Sequence, residues 1–267
     1  MPLLSTDRPL ESAGRIGYAF KGVLYVLLGV LAVDAAWSGG STEGRRGALQ
    51  TVAETAFGDL LLGVLAVGLA AYAVWRLAMA ALDPEGRGTD ARGLAHRAGY
   101  VVSGLSYGVL AVAAYRITQG GGGGGGNGAE EGAQTALELP GGRYVLGLVA
   151  LAVVGFGVYE VVRAYTARFM SDLALSGEGA QHRDTVRRLG QAGLAARGVV
   201  YGVIGAALAV AAVQYDPDEA YGLDGALATL RDQPYGAVLL GLVGLGLAAY
   251  GLYCGVNARY RRFPHAH

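Results

Sequence analysis

Six long stretches of the chain are almost free of charged side chains, at about residues 16–36, 60–82, 98–115, 144–162, 192–213 and 235–256. A bilayer core is crossed by a helix of about 20 predominantly apolar residues, within a range of about 17 to 25. All six stretches fit that length. A strand reading fails, because apolar and polar positions do not alternate with period two. A soluble helix bundle fails as well, since its helices would carry a polar stripe every 3.6 residues or so. "VVSGLSYGVLAVAAY" (101–115) and "YGAVLLGLVGLGLAAYGLYCG" (235–255) carry none and are apolar all round. Small residues are dense inside them, as where membrane helices pack by close van der Waals contact. The pattern predicts an all-α integral membrane bundle of six transmembrane helices.

The first stretch returns twice. "RIGYAFKGVLYVLLG" (15–29) aligns without gaps with "RAGYVVSGLSYGVLA" (97–111) and "QAGLAARGVVYGVIG" (191–205). Gly17, Gly99 and Gly193 fall in register, as do Gly22, Gly104 and Gly198, and then Tyr25, Tyr107 and Tyr201. The even-numbered stretches repeat too. "GLAAYAVWR" (68–76), "GFGVYEVVR" (155–163) and "GLAAYGLYC" (246–254) align Tyr72, Tyr159 and Tyr250. The chain thus reads as three tandem helical hairpins, at 15–82, 97–165 and 191–257, between an N-terminal segment (1–14) and a basic tail (258–267). Each pair of crossings returns to the starting side, so the repeats are parallel and related by an axis along the membrane normal. A pseudo-threefold ring is permitted. The opening residues also mimic a signal peptide, with Arg8 and Arg15 before an apolar core and "DAAWS" after it. Cleavage would leave five helices of a three-pair design, so the expectation is a retained helix.

Charge sets the topology. Of 21 Lys and Arg residues, all but Arg45, Arg46, Arg116, Arg143 and Arg231 fall on the side of the termini. The positive-inside rule then places the N- and C-termini in the cytoplasm. Net charge is zero, which gives no electrostatic reason to expect nucleic acid. The single cysteine, Cys254, excludes an internal disulfide and a cysteine metal site. The outer run "GGGGGGGNG" (120–128) reads either as a mobile flap or as an expansion tolerated in a surface loop. No Lys-Ser/Thr follows it into a helix, so it is no phosphate loop.

Positions i, i+4, i+7 and i+11 share a helix face. In the first unit these are Tyr18, Gly22, Tyr25 and Gly29; in the second, Tyr100, Gly104, Tyr107 and Ala111; in the third, Leu194, Gly198, Tyr201 and Gly205. The simplest reading is a helix–helix seam, with Gly22, Gly104 and Gly198 on the first helices and Tyr72, Tyr159 and Tyr250 on the second as its packing residues. Beside the stripe lies a variable position, Lys21, Ser103 and Arg197. Two readings stay open for it. The side chains converge on a cytoplasm-facing cavity suited to an anionic solute or lipid headgroup, or the two cations snorkel to the interface. Glu160 is the other intramembrane charge, and Arg163, three residues on, is placed to pair with it. The four histidines lie in terminal or connecting segments, and no GxSxG, HExxH or aligned Ser/His/Asp set occurs. No enzyme, cofactor or metal is expected.

The thrice-repeated R-x-G-Y-x-x-x-G-x-x-Y pattern, paired with G-L-x-x-Y in each second helix, resembles the bacterial family called domain of unknown function 1206. The resemblance covers roughly 13 to 256 and departs in the third unit, where Gln191 and Leu194 replace the arginine and tyrosine. It implies a six-helix protein of the bacterial plasma (inner) membrane built from three two-helix repeats, and no activity. The functional expectation is a structural or interaction protein that binds membrane lipids, a membrane-protein partner or a second copy. The alternative is a small-solute or anion transporter or channel with a cytoplasm-facing cavity between the repeats.

Overall fold

The computed structural model describes residues 7–38, 58–83, 86, 88–119, 128–175 and 181–262. Their helices are α1 (Asp7–Ser38), α2 (Gly58–Leu82), α3 (Ala91–Thr118), α4 (Gly128–Leu137), α5 (Gly142–Thr166), α6 (Arg183–Gln214), α7 (Leu223–Arg231) and α8 (Gly236–Tyr260). No strand occurs among the described residues, only an isolated bridge between Leu173 and Arg261. Helices α1, α2, α3, α5, α6 and α8 are long and apolar enough to cross a membrane. The chain is an all-α membrane bundle of repeated helix pairs. At 32 residues each, α1 and α6 reach about 48 Å, well past a hydrocarbon core of about 30 Å. The apolar runs cover the later two-thirds of these helices, and their charged first turns extend ahead of them. All but Gly128 of the glycine-rich run lies outside the described residues.

Helix ends follow local chemistry. Asp90 caps α3 by accepting the Gly93 amide at 2.8 Å, satisfying a donor that has no partner within the helix. On the side away from the chain termini, short helices α4 and α7 each lead into a spanning helix through a Pro-containing turn, at Pro140-Gly141-Gly142 and Pro234-Tyr235-Gly236. A Cβ on Gly142 would strike the Ala136 carbonyl, and one on Gly236 the Arg231 carbonyl. Only glycine fits there. At the opposite end Arg15 Nη1 donates to the Ala258 and Arg259 carbonyls at 2.9 and 2.7 Å, and Arg97 Nε to the Ala80 carbonyl at 2.7 Å. These bonds tie helix starts to helix ends on one side of the bundle.

The spanning helices pack in the order α3, α2, α1, α8, α6, α5. Three of the seams join successive units, counting the third back to the first, and they are built alike. Gly22 on α1 meets Gly251 on α8, where an added Cβ would lie 2.8 Å from the Gly251 carbonyl oxygen. A Cβ added to Gly104 on α3 would lie 3.2 Å from the Ala73 carbonyl oxygen, and one added to Gly198 on α6 2.8 Å from the Gly157 carbonyl oxygen. The glycines let backbones approach closely where no hydrophobic effect drives helices together. Within the first and third units the paired helices also touch: Gly17 lies on Tyr72, and Gly193 on Tyr250. The second unit differs from the expected hairpin. Helix α3 packs on α2, and α5 on α6, but α3 and α5 are parted. A Cβ on Gly99 would meet nothing within 4 Å. The row runs unbroken through the α8–α1 seam, and its two ends, α3 and α5, form no such seam with each other.

Candidate functional site

The repeated tyrosines and the variable position assemble into one layer across the bundle. Lys21 is 4% exposed, and its Nζ lies 5.9 Å from the Tyr25 ring centre, 5.0 Å from Tyr72, 5.1 Å from Tyr107 and 5.4 Å from Tyr250. Four rings from α1, α2, α3 and α8 thus surround one ammonium, which also donates to the Tyr72 hydroxyl at 3.2 Å. Ring faces carry negative quadrupole charge, so the cage replaces part of the hydration that burial removes. The rings brace one another edge to face, at 4.8 Å for Tyr72 with Tyr107 and 4.8 Å for Tyr25 with Tyr250. These two pairs are repeat equivalents, each joining a second helix to the first helix of the next unit.

Arg197 forms the other half of the layer. Its guanidinium stands 4.3 Å from the Tyr250 ring centre, 5.7 Å from Tyr25 and 5.4 Å from Tyr201, and Nη2 donates to the Tyr201 hydroxyl at 3.2 Å. Nη1 pairs with Glu160 Oε1 at 3.5 Å, and both side chains are buried. Among the described residues, Glu160 Oε2 and Arg197 Nε have no hydrogen-bond partner. Lys21 and Arg197 are two buried cations and Glu160, paired with Arg197, is the one buried carboxylate among the described residues, so the layer is cationic. Toward the end that holds the chain termini, Arg76 Nε and Nη2 donate to the Tyr72 hydroxyl at 2.9 and 2.7 Å, and its guanidinium lies 5.1 Å from the Tyr100 ring.

Lys21 and Arg197 therefore converge on the same tyrosines, Tyr25 and Tyr250, and neither snorkels. Their long stems end inside the bundle because rings from neighbouring helices solvate the charge there. Ser103, the third residue at that position, is only half-buried. Glu160 pairs across helices with Arg197; Arg163 turns away and binds Asp172 at 3.0 Å. The i,i+3 pairing read from the sequence is corrected accordingly: Arg163 reaches the 3₁₀ turn Arg168–Asp172 at the end of its own helix. Tyr72 and Tyr250 are packed, at 0% and 5% exposure, whereas Tyr159 is 47% exposed because α5 stands apart from α3. Tyr201 instead takes Phe156 edge to face at 5.0 Å. Arg76 belongs to the layer and was not singled out by the sequence argument, although it ends the aligned segment "GLAAYAVWR" just as Arg163 ends "GFGVYEVVR". Among the described residues no group of three or more His, Cys, Asp or Glu side chains could hold a metal ion.

The three repeated units match a known protein family. The family described as Domain of Unknown Function (DUF1206) matches three times, at residues 16–83, 98–167 and 192–261. The chain belongs to the DUF1206 family. Each DUF1206 match spans one two-helix unit, from the Gly17, Gly99 or Gly193 region to the end of the second helix. A relative from Bacillus subtilis (strain 168), "Uncharacterized protein YxxB", is 35% identical over 254 residues, covering 94% of this chain and 91% of its own. No solved structure matches. Neither the DUF1206 description nor the name of the relative states an activity.

Proposed function

We propose that this DUF1206 protein is a non-catalytic, multi-pass interaction protein of the bacterial plasma membrane that binds a partner protein or lipid within the bilayer. The supporting observation is the Lys21 cage. A cation held by four tyrosine rings and a phenol hydroxyl, at 4% exposure, is solvated by protein side chains. A conduction path through the bundle would need water or a ligand at this level. Both termini lie in the cytoplasm in this reading, supported by the concentration of arginines on that side. The Bacillus relative supports a bacterial setting.

A second reading has an observation of its own. Lys21 and Arg197 share Tyr25 and Tyr250, and Arg197 Nε has no partner among the described residues, as an anion site in a cytoplasm-facing transporter or channel would require. One experiment separates the two. In a Cys254→Ala background, Ser103→Cys is treated with a membrane-impermeant thiol reagent from each side. The interaction reading expects no labelling of folded protein from either side. Labelling from the cytoplasmic side would replace it with the cavity reading, and labelling from both sides with a pathway through the protein.

A further inference from the structure

The two well-formed units share a specific pair of contacts that the second unit leaves unmade. In the first unit Gly17 lies on Tyr72, and Gly68 lies on Phe20. In the third, Gly193 lies on Tyr250, and Gly246 lies on Ala196. These are the same two positions on each first helix against the same two on each second helix. Their equivalents in the second unit are Gly99 with Tyr159, and Val102 with Gly155. A Cβ on Gly99 or on Gly155 would meet nothing within 4 Å, and Tyr159 and Val102 are 47% and 64% exposed.

A glycine inside a helix costs about 1 kcal/mol relative to alanine, and it is useful where another backbone or ring must come close. Gly99 and Gly155 carry that cost with nothing against them. The faces they open belong to α3 and α5, which are the two ends of the helix row, each packed along one flank only. Their complementary surfaces lie on the same chain. Moreover, the three between-unit seams, including the one beside α5 at Gly157 and Gly198, are already formed. Closing the remaining seam would complete a ring whose other five seams exist.

We propose that the α3–α5 seam is a lateral gate, and that α3 and α5 close on each other by seating Tyr159 on Gly99 and Val102 on Gly155. The parted arrangement is its open state. There the flank of α5 that carries Tyr159, next to Glu160 and the Arg197 pair, faces the bilayer. The closed state seals that flank as Tyr72 and Tyr250 are sealed. Because lipid is as apolar as the helix surfaces, the two states differ only by packing and not by a hydrophobic term, which suits an element that swings as a rigid body.

Paired cysteines test this in Cys254→Ala protein kept in native membranes and oxidised with copper–phenanthroline. One variant carries Gly99→Cys with Tyr159→Cys, and a second Val102→Cys with Gly155→Cys. The second replaces an exposed valine and an uncontacted glycine, and it decides the matter if the first does not fold. Phe20→Cys with Gly68→Cys is the equivalent pair in a closed unit and serves as the positive control. A disulfide needs Cβ atoms about 3.5–4.5 Å apart, and in the parted arrangement a Cβ on Gly99 or Gly155 has no heavy atom of another helix within 4 Å. The expected result is an intramolecular bond in the second unit, with loss of both free thiols as in the control. Thiols that stay free while the control oxidises would overturn the proposal. So would a bond that forms only between chains, which would give the seam to a second copy.

Discussion

The Tyr72 hydroxyl accepts hydrogen bonds from Lys21 Nζ at 3.2 Å and from Arg76 Nε and Nη2 at 2.9 and 2.7 Å. One phenol oxygen therefore serves two cations inside the bundle. Removing it while keeping the ring should be costly, because hydrogen bonds to charged groups contribute about 1.5–3 kcal/mol each. Tyr72→Phe is expected to lower stability by about 2–4 kcal/mol, read from unfolding in detergent with increasing SDS. Lys21→Met removes the desolvated charge and still fills the cage. It should fall within about 1 kcal/mol of the parent or above it, since apolar groups of similar volume replace buried charges without loss. Greater damage from Lys21→Met than from Tyr72→Phe would mean that the ammonium holds the fold in a way the cage does not account for.

Among the described residues Glu160 is the only acidic side chain paired with Arg197, across the α5–α6 seam at 3.5 Å. Breaking one partner of a buried pair strands the other, at a typical cost of about 3–5 kcal/mol. Glu160→Met or Arg197→Met alone should therefore destabilise strongly. The double variant Glu160→Met with Arg197→Met should recover most of that loss, because no charge is left unpaired and the volume is kept. The coupling is measured by a double-mutant cycle on the same unfolding assay. Additive single effects would show that the two residues act separately.

The helices, their number and the Gly–Tyr register were legible because each depends on residues local to one helix and is written three times. Gly22, Gly104 and Gly198 all sit on close seams for the reason that small residues at that spacing predict. Partner choice was not legible. Glu160 has Arg163 three residues away in sequence, yet binds Arg197, because only the packing of α5 on α6 brings that guanidinium near. Lys21 stands at a depth from which a lysine can snorkel. It stays inside because Tyr72, Tyr107 and Tyr250 arrive from three other helices. Nor does any residue of the motif mark the second unit as parted: Gly99 and Tyr159 carry the same letters as the pairs that close.

The proposed orientation makes a separate prediction. Arg15, Arg97 and the end of α8 lie on one side of the bundle, joined by the Arg15 bonds to Ala258 and Arg259. Alkaline phosphatase fused after residue 128 should be active, as it is only when exported, and a fluorescent reporter fused after residue 267 should fluoresce in the cytoplasm. The reverse pair would invert the topology without disturbing the fold.

Equivalent glycines should respond unequally to one added methyl group. At Gly17 the new Cβ would sit 2.6 Å from the Tyr72 Cα, and at Gly193 2.5 Å from the Tyr250 Cα, both in contact with backbone that cannot yield cheaply. Gly17→Ala and Gly193→Ala should each cost about 1–3 kcal/mol through overpacking. At Gly99 the methyl meets open space, and alanine is the better helix former by about 1 kcal/mol. Gly99→Ala should thus leave stability unchanged or raised in the SDS assay. It should also hold the gate open, since the methyl occupies the place where the Tyr159 backbone would come to rest. Placed beside Val102→Cys and Gly155→Cys, Gly99→Ala should slow disulfide formation in the second unit and leave the Phe20–Gly68 control pair untouched. Unchanged cross-linking would mean that α3 and α5 meet in a register other than the one the first and third units use.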